Sequence, residues 1–406
     1  MSVYQKIADD LVERFRPAAE SLPANDEKRA AFARFSKVGP PHRRVEGWRW
    51  SDLPAALRAA NGAASSGRSA AFDQIGAPSV NIVNGRIADA QAAAALGVVE
   101  VDEWDDTLDP CDWRDRFSGL VDLNTAAAVR QIRVEMIDGA AGAVWLRHIF
   151  DSREDVFVSI AMRVGNCATL NVIETFEGRA PFVSHAAIAR TGKNASIART
   201  MLQSTEQSVV LHSSFGAIIG VGGAFEQSSV SLGGRFARHE TVPWLVDEDA
   251  RVRIDSVALV DRDRHADFTS HVAHDEARAI TRQRHKGVVD GNGRAVFQGK
   301  FLVGRSAQKT DAEMQANALL LSDRAQANHK PELEIYADDV QCAHGSTSGA
   351  LDDDALFYLR QRGLDEGAAR ALLIEAFVGE LIGDMDAAAR PAAAELVGEW
   401  LRERTA

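Results

Sequence analysis

Cys342 and His344, two residues apart in the run Lys330–Gly349 (KPELEIYADDVQCAHGSTSG), are the side chains in this sequence best suited to chemistry. In an extended segment, positions i and i+2 share a face, so thiol and imidazole would project together. A sulfur beside a ring nitrogen suits a soft or borderline metal ion. A buried cysteine beside a hydrogen-bonded histidine fits the same pattern with no ligand at all, and the pattern leaves both readings open.

A second group is His265, His271 and His274, spaced H-x5-H-x2-H, with His285 beyond. On a strand, 265 and 271 fall on one face and 274 on the other, so one tetrahedral site is not implied. Interleaved acids and arginines give this stretch the texture of a solvated surface. Gly345–Gly349 (GSTSG) has the frame of a nucleophile elbow, but Thr347 sits at its centre and no strand–turn–helix context surrounds it. Gly220–Phe225 (GVGGAF) misses the dinucleotide fingerprint, and the sequence has no P-loop. Arg43, Arg44, Trp48 and Trp50 form a basic-aromatic cluster that reads either as an anion or partner contact or as packing anchors with arginine stacked on them.

These residues need elements to hold them. Leu333 and Ile335 alternate with Glu332, Glu334 and Tyr336, the period of a half-buried strand. Asp338-Asp339 breaks it with a turn, and Val340–His344 resumes extended structure. From about Arg130 helical periodicity gives way to short β-type runs, from Gln131–Met136 through Val252–Val260 and Ala295–Val303 to Glu332–Tyr336. Strands without intervening helices argue against a doubly wound sheet and leave a sandwich, a barrel or propeller, or a parallel β-helix. Asn-Gly-type reversals are few apart from Asp290–Gly293, and small residues recur inside the runs. Both favour a β-helix, whose rungs stack about 4.8 Å apart.

The flanks read as helix. Tyr4, Ile7, Leu11 and Phe15 lie at helical spacing, and Ala30–Phe35 offers a second segment. Gly39–Leu53 (GPPHRRVEGWRWSDL) is a linker that begins extended at its paired prolines. Pro54–Ala71 suggests a short helix running into a loop, Ser79–Val83 a strand before an Asn84-Gly85 turn, and the Ala-rich Ala88–Leu96 a helix. At the other end, Asp352–Asp354 supplies an N-cap and acidic first turn, Gly363 a stop, Asp365 a second start, and Pro391 the first turn of a last helix.

At 406 residues the chain can bury a large core in two or three folding units. A formal charge of −12, with basic residues interspersed among acids, excludes the basic stripe of a nucleic-acid binder and the polybasic patch of a membrane-surface protein. No stretch approaches the roughly 20 apolar residues of a membrane span. The N-terminal run lacks the basic and apolar regions of a signal peptide. Cys111, Cys167 and Cys342 are far apart with no C-x-x-C, so neither a disulfide framework nor a zinc ribbon is indicated. A reduced, cytoplasmic chain is expected.

Gln308–Leu321 (QKTDAEMQANALLL), followed by KPELEIYADDVQCAHG and LFYLRQRG, resembles the SufB/SufD family of iron–sulfur cluster assembly proteins, and Lys286–Val303 (KGVVDGNGRAVFQGKFLV) belongs to the same pattern. The likeness covers Lys286–Gly363 almost continuously and extends more weakly to HRRVEGWRWSDL and the C-terminal helices. Cys-Ala-His-Gly at 342–345 and LDDDALFYL at 351–359 are similar to the SufD-like branch, where SufB-like sequences tend to carry Cys-Glu-His-Glu and an EDQLFY-type string. Ser348 departs from the aliphatic residue usual there.

The resemblance implies a mainly β protein: a right-handed parallel β-helix core over 126–349, flanked by an N-terminal, mainly helical domain with linker over 1–125 and a C-terminal helical domain over 350–406. It implies a non-catalytic scaffold subunit of a SufB–SufC–SufD complex. The β-helix would pair with a SufB-like paralogue, or with a second copy when that partner is missing. Leu356, Phe357, Tyr358, Arg360 and Arg362 would dock a SufC-like ABC ATPase. Cys342 and His344 would be metal positions shared with the SufB-like subunit, handling a transient iron or iron–sulfur cluster, with none expected in the isolated chain. Two rivals stand beside it: a β-helix polysaccharide lyase, which needs a calcium-binding carboxylate cluster and a basic catalyst in the groove, and a stand-alone metal-binding protein using Cys342 with the histidines.

Overall fold

The computed structural model describes residues 3–20, 26–59, 69–90, 96–101 and 118–405. Cys111 and the loop expected after Pro54–Ala59 lie outside them. Two sheets of ten and nine strands face each other, and the chain alternates between them from β4 (Gln131–Met136) to β19 (Gln341–Gly349). Within each sheet successive strands are parallel and in register: Thr169 lies beside Ser196, and Ser196 beside Ala224. This is a parallel β-solenoid with helices at both ends, the fold class expected from the texture of the sequence.

The lumen holds one apolar core that includes Val144, Leu146, Phe176, Phe215, Phe225, Phe297 and Phe301. The outer faces are covered as well. Helices α1 (Val3–Glu20), α2 (Asp26–Val38), α3 (Leu53–Ala59) and α4 (Leu120–Ala127) pack Leu11, Phe15, Phe35, Leu53 and Leu123 onto Phe157, Phe182, Val210 and Phe236 of the nine-stranded sheet. Helices α5 (Asp353–Gln361), α6 (Glu366–Gly383) and α7 (Arg390–Thr405) follow the last strand. Ile374, Val378, Leu381 and Trp400, from α6 and α7, pack against Ile173, Leu202, Val257 and Val288 of the ten-stranded sheet. Burial on both faces explains why so few strands alternate cleanly; β10 (Val210–Ile219) is buried at every position.

The corners repeat a single device. Cys167, Asn194, Gly222, Asp249, Arg278 and Lys309 all adopt positive φ, and each donates its backbone N–H to a carbonyl of the next rung. The column saturates backbone groups that the sheets cannot reach. Asp290–Gly293 belongs to another corner: Gly291 has φ +60°, and Asn292 donates to the Arg262 carbonyl one rung below. It therefore turns the solenoid rather than a hairpin.

The helix expected at Ala88–Leu96 is not formed where it is described. Arg86–Ala90 is strand β2, antiparallel to β1 (Ser79–Val83) beyond the Asn84-Gly85 turn, and Leu96 opens β3 (Leu96–Val101), antiparallel to β4. These strands extend both sheets at the start of the solenoid, and that pairing overrides alanine's helical propensity. The histidine-rich stretch is likewise not a solvated surface. His265, His274 and His285 are buried, because one face of their strands lines the lumen and the other lies under the Gly39–Leu53 linker or the C-terminal helices.

Candidate functional site

The solenoid ends at β18 (Gln326–Ile335) and β19, the outermost strands of its last turn. β18 pairs only with β16 (Arg294–Val303), and β19 only with β17 (Asp311–Leu320); among the described residues no strand covers their outer edges. Such edges present unpaired backbone donors and acceptors to a partner. Ile335 and Tyr336 are 39% and 54% exposed beside them.

Cys342 and His344 lie on this last strand. Cys342 stands beside Ala312, His344 beside Met314 and Ser346 beside Ala316. Ala312, Met314 and Ala316 line the lumen, so the three side chains form the inward face of the final rung, as spacing by two requires. Cys342 is half-buried against Val303, Ala307, Ala337 and Val340. Burial pushes its thiol above the usual range and the Asp311 charge adds to this, while a backbone hydrogen bond with Ala312 opposes it. The thiol is thus protonated at neutral pH, and metal binding there must displace the proton. His344 is exposed.

Opposite them, on β18, is a histidine whose role the sequence did not suggest. His329 Nδ1 is 2.8 Å from Ser346 Oγ, and its ring meets the edges of Phe297 and His285. The mouth of the lumen thus carries Cys342, His344, Ser346 and His329. Lys330 clasps Glu46 of the linker at 2.8 Å, tying the last rung to the N-terminal segment. Within that segment Trp48 is a packing anchor: the Arg238 guanidinium lies 4.0 Å above it and Phe236 stacks below at an 8° tilt.

The residues expected to contact an ATPase are on α5. Asp352 caps this helix, accepting from the Asp354 and Ala355 amides. Phe357 and Tyr358 are 64% and 56% exposed and Leu356 is half-buried. Arg362 folds over the Tyr358 ring at 5.1 Å, and Arg360 reaches Glu366 at 3.6 Å. Leu364 and Leu372 extend the exposed apolar surface.

A different cluster, which the sequence did not reveal, lies inside the first turns. His148 of β5 (Ala141–Asp151), Glu174 of β7 (Thr169–Arg179) and His185 of β8 (Phe182–Thr191) meet in the lumen, all fully buried. Arg199 of β9 (Ser196–Thr205) donates to the same carboxylate and holds Glu174 well below the usual carboxylate range against the opposing effect of burial. The local sequence carries no signal for this group, because its members come from separate strands, His148 and Glu174 lying 26 residues apart.

Residues 148–377 match the family model described as SUF system FeS cluster assembly, SufBD core domain. The chain belongs to the SufBD family. Its match covers more than half the sequence and takes in most of the solenoid together with α5 and much of α6. Among relatives, the chain is 42% identical over 158 residues to the iron–sulfur cluster assembly protein SufD of Escherichia coli, an alignment covering 39% of this chain and 37% of that protein. It is 40% identical over 153 residues to a SufBD family protein of Synechocystis, covering 38% of this chain and 34% of that one. It is 38% identical over 159 residues to the chloroplast protein ABCI7 of Arabidopsis thaliana, covering 39% and 34%. The aligned part thus spans little more than a third of each relative. No helix among the described residues is long and apolar enough to cross a membrane.

Proposed function

We propose that this SufBD-family chain is a cytoplasmic, non-catalytic scaffold subunit in iron–sulfur cluster assembly, pairing through the open end of its solenoid with a SufB-like paralogue. The observation that carries the proposal is the uncapped last rung: two edge strands with free backbone edges, carrying Cys342 and His344 on the inward face. Solenoids are normally sealed by polar terminal turns, so an open, partly apolar end asks for another solenoid. Without the paralogue, a second copy of this chain satisfies the same edges.

At that junction a neutral thiol and an exposed imidazole supply half of a borderline-metal site, and the partner supplies the rest. Iron or a nascent cluster is the cargo. The exposed Phe357–Tyr358 face of α5 would receive a SufC-like ATPase, with Leu356, Arg360 and Arg362 around it. Closure of two ATPase subunits on bound ATP would move the C-terminal helices and shift the paired ends between two arrangements, the chain contributing contacts that differ between them.

Co-expression with a SufB-like paralogue and a P-loop ATPase, followed by purification on a tag carried by this chain, tests the assembly. Recovery of this chain alone refutes it. In the assembled complex, His344→Ala should abolish or strongly reduce reconstituted cluster, read from its visible absorption. An unchanged yield with both partners bound reduces His344 to a packing residue.

A further inference from the structure

We propose that His148, Glu174 and His185 form a buried three-donor site for a divalent metal ion inside the solenoid, filled as the chain folds with a water in the fourth position. It is separate from the Cys342–His344 end, since its donors come from the first turns and theirs from the last strand.

The spacing fits an ion. His148 Nε2 lies 3.3 Å and His185 Nε2 3.2 Å from the same oxygen, Glu174 Oε1. An ion held tetrahedrally at about 2.0–2.1 Å from each donor sets neighbouring donors about 3.3 Å apart. Hydrogen bonding leaves the cluster unfinished: His148 Nε2 is hydrogen-bonded to Glu174 Oε1, but His185 Nε2, aimed at the same oxygen, is buried without a hydrogen bond of its own, where buried polar atoms are nearly always satisfied.

The surroundings orient the donors as outer groups do around a metal. Ser213 Oγ lies 3.1 Å from His185 Nδ1, so the other ring nitrogen faces Glu174. Arg199 takes Glu174 Oε2 and leaves Oε1 to the two rings. The His148 ring stacks on Phe176 at 4.7 Å and His185 meets the same ring edge-on at 5.1 Å, which fixes both imidazoles.

Arg199 sets the limit on affinity. Its charge already cancels that of Glu174, so a dication adds positive charge to a dry interior. Its guanidinium is held toward Gln227 Oε1 at 2.8 Å and over the Phe215 ring at 4.4 Å. Replacing it with a neutral side chain should therefore tighten metal binding, whereas in a simple ion-pair cluster the same change only weakens the fold. All three donor residues are fully buried, so the ion enters during folding and resists chelators afterwards.

The test uses the full chain produced in zinc-supplemented medium and, separately, unfolded and refolded with Zn2+ or Co2+. After EDTA dialysis under native conditions, elemental analysis should find about one ion per chain, and Co2+ should give tetrahedral d–d absorption. His185→Gln and Glu174→Gln should lower occupancy below about a tenth with far-UV circular dichroism unchanged, and C342S/H344A should keep the ion. Arg199→Gln should hold Zn2+ at least as tightly in competition with a chromophoric chelator. Less than about a tenth of an ion by both routes overturns the proposal, as does full occupancy in a His148→Gln/His185→Gln double variant or loosened Zn2+ in Arg199→Gln. If the variants fail to fold, the wild-type stoichiometry and Co2+ spectrum alone decide.

Discussion

Acidification from pH 7 to pH 5 should strongly destabilise this protein before its carboxylates titrate. Several buried histidines are held far below their ordinary value, and burial is the leading cause for each. His239 falls to about 3, helped by the charges of Arg199, His212 and His185. His265 is at about 4 despite Asp267, and His274 at about 4 despite a hydrogen bond with the Leu302 carbonyl. The unfolded chain binds a proton at each near pH 6.5, and the folded chain does not until near pH 4. Their contribution is therefore complete above 6.5 and is lost as pH falls from there. One proton per site costs about 1.4 kcal/mol per pH unit, so at pH 5 each of these three histidines has forfeited about 2 kcal/mol and together about 6 kcal/mol. That is comparable with the roughly 5–15 kcal/mol by which domains are stable. Glu174 and Glu240 are displaced downward by their Arg and His partners, so their stabilisation persists until pH falls below about 4.5 and does not mask the effect. Urea unfolding followed by tryptophan fluorescence at pH 7.5, 6.5, 5.5 and 5.0 should show a flat region and then a steep fall. His274→Gln should make that fall shallower by one proton, about 1.4 kcal/mol per pH unit. A stability at pH 5 within about 1 kcal/mol of that at pH 7.5 would refute the reasoning.

Trp48→Ala should cost about 3–5 kcal/mol in urea unfolding, because a buried aromatic is lost and Arg238 is stripped of its stacking partner. Gly178→Ala should destabilise by more than about 1 kcal/mol: at φ +90° a Cβ would stand 2.0 Å from the Phe150 carbonyl oxygen, and a lower melting temperature reads the effect. Phe357→Ala and Tyr358→Ala, both on exposed surface, should leave stability within about 0.5 kcal/mol of wild type while weakening capture of a SufC-like ATPase on an affinity column.

Local rules carried much of the architecture. Short β-type runs without intervening helices, small residues within them and few hairpin signals favour a parallel solenoid over a sandwich or barrel, and the capping aspartates at 352 and 365 are used as their positions suggest. The face shared by Cys342 and His344 follows from the strand period alone. Ala88–Leu96 misled because alanine propensity is weak beside the pairing that β1 and β4 offer to β2 and β3. The His265–His285 stretch misled because a polar sequence inside a solenoid finds partners on adjacent rungs: His274 at the Leu302 carbonyl and His285 at Ser256.

By itself the sequence narrowed the core to a few β architectures with the parallel solenoid favoured, and determined the helical ends, the strings that tie residues 286–363 to a family, and the Cys342–His344 pair. All are signals carried within a few residues of one another. Tertiary structure alone decided that this pair stands at an open end facing His329, and that His148, Glu174, His185 and Arg199 meet in a dry lumen. Stacking in register places residues one turn apart in contact, and the lengths of the corners, which set that register, leave no periodic mark in a chain whose strands are buried on both faces.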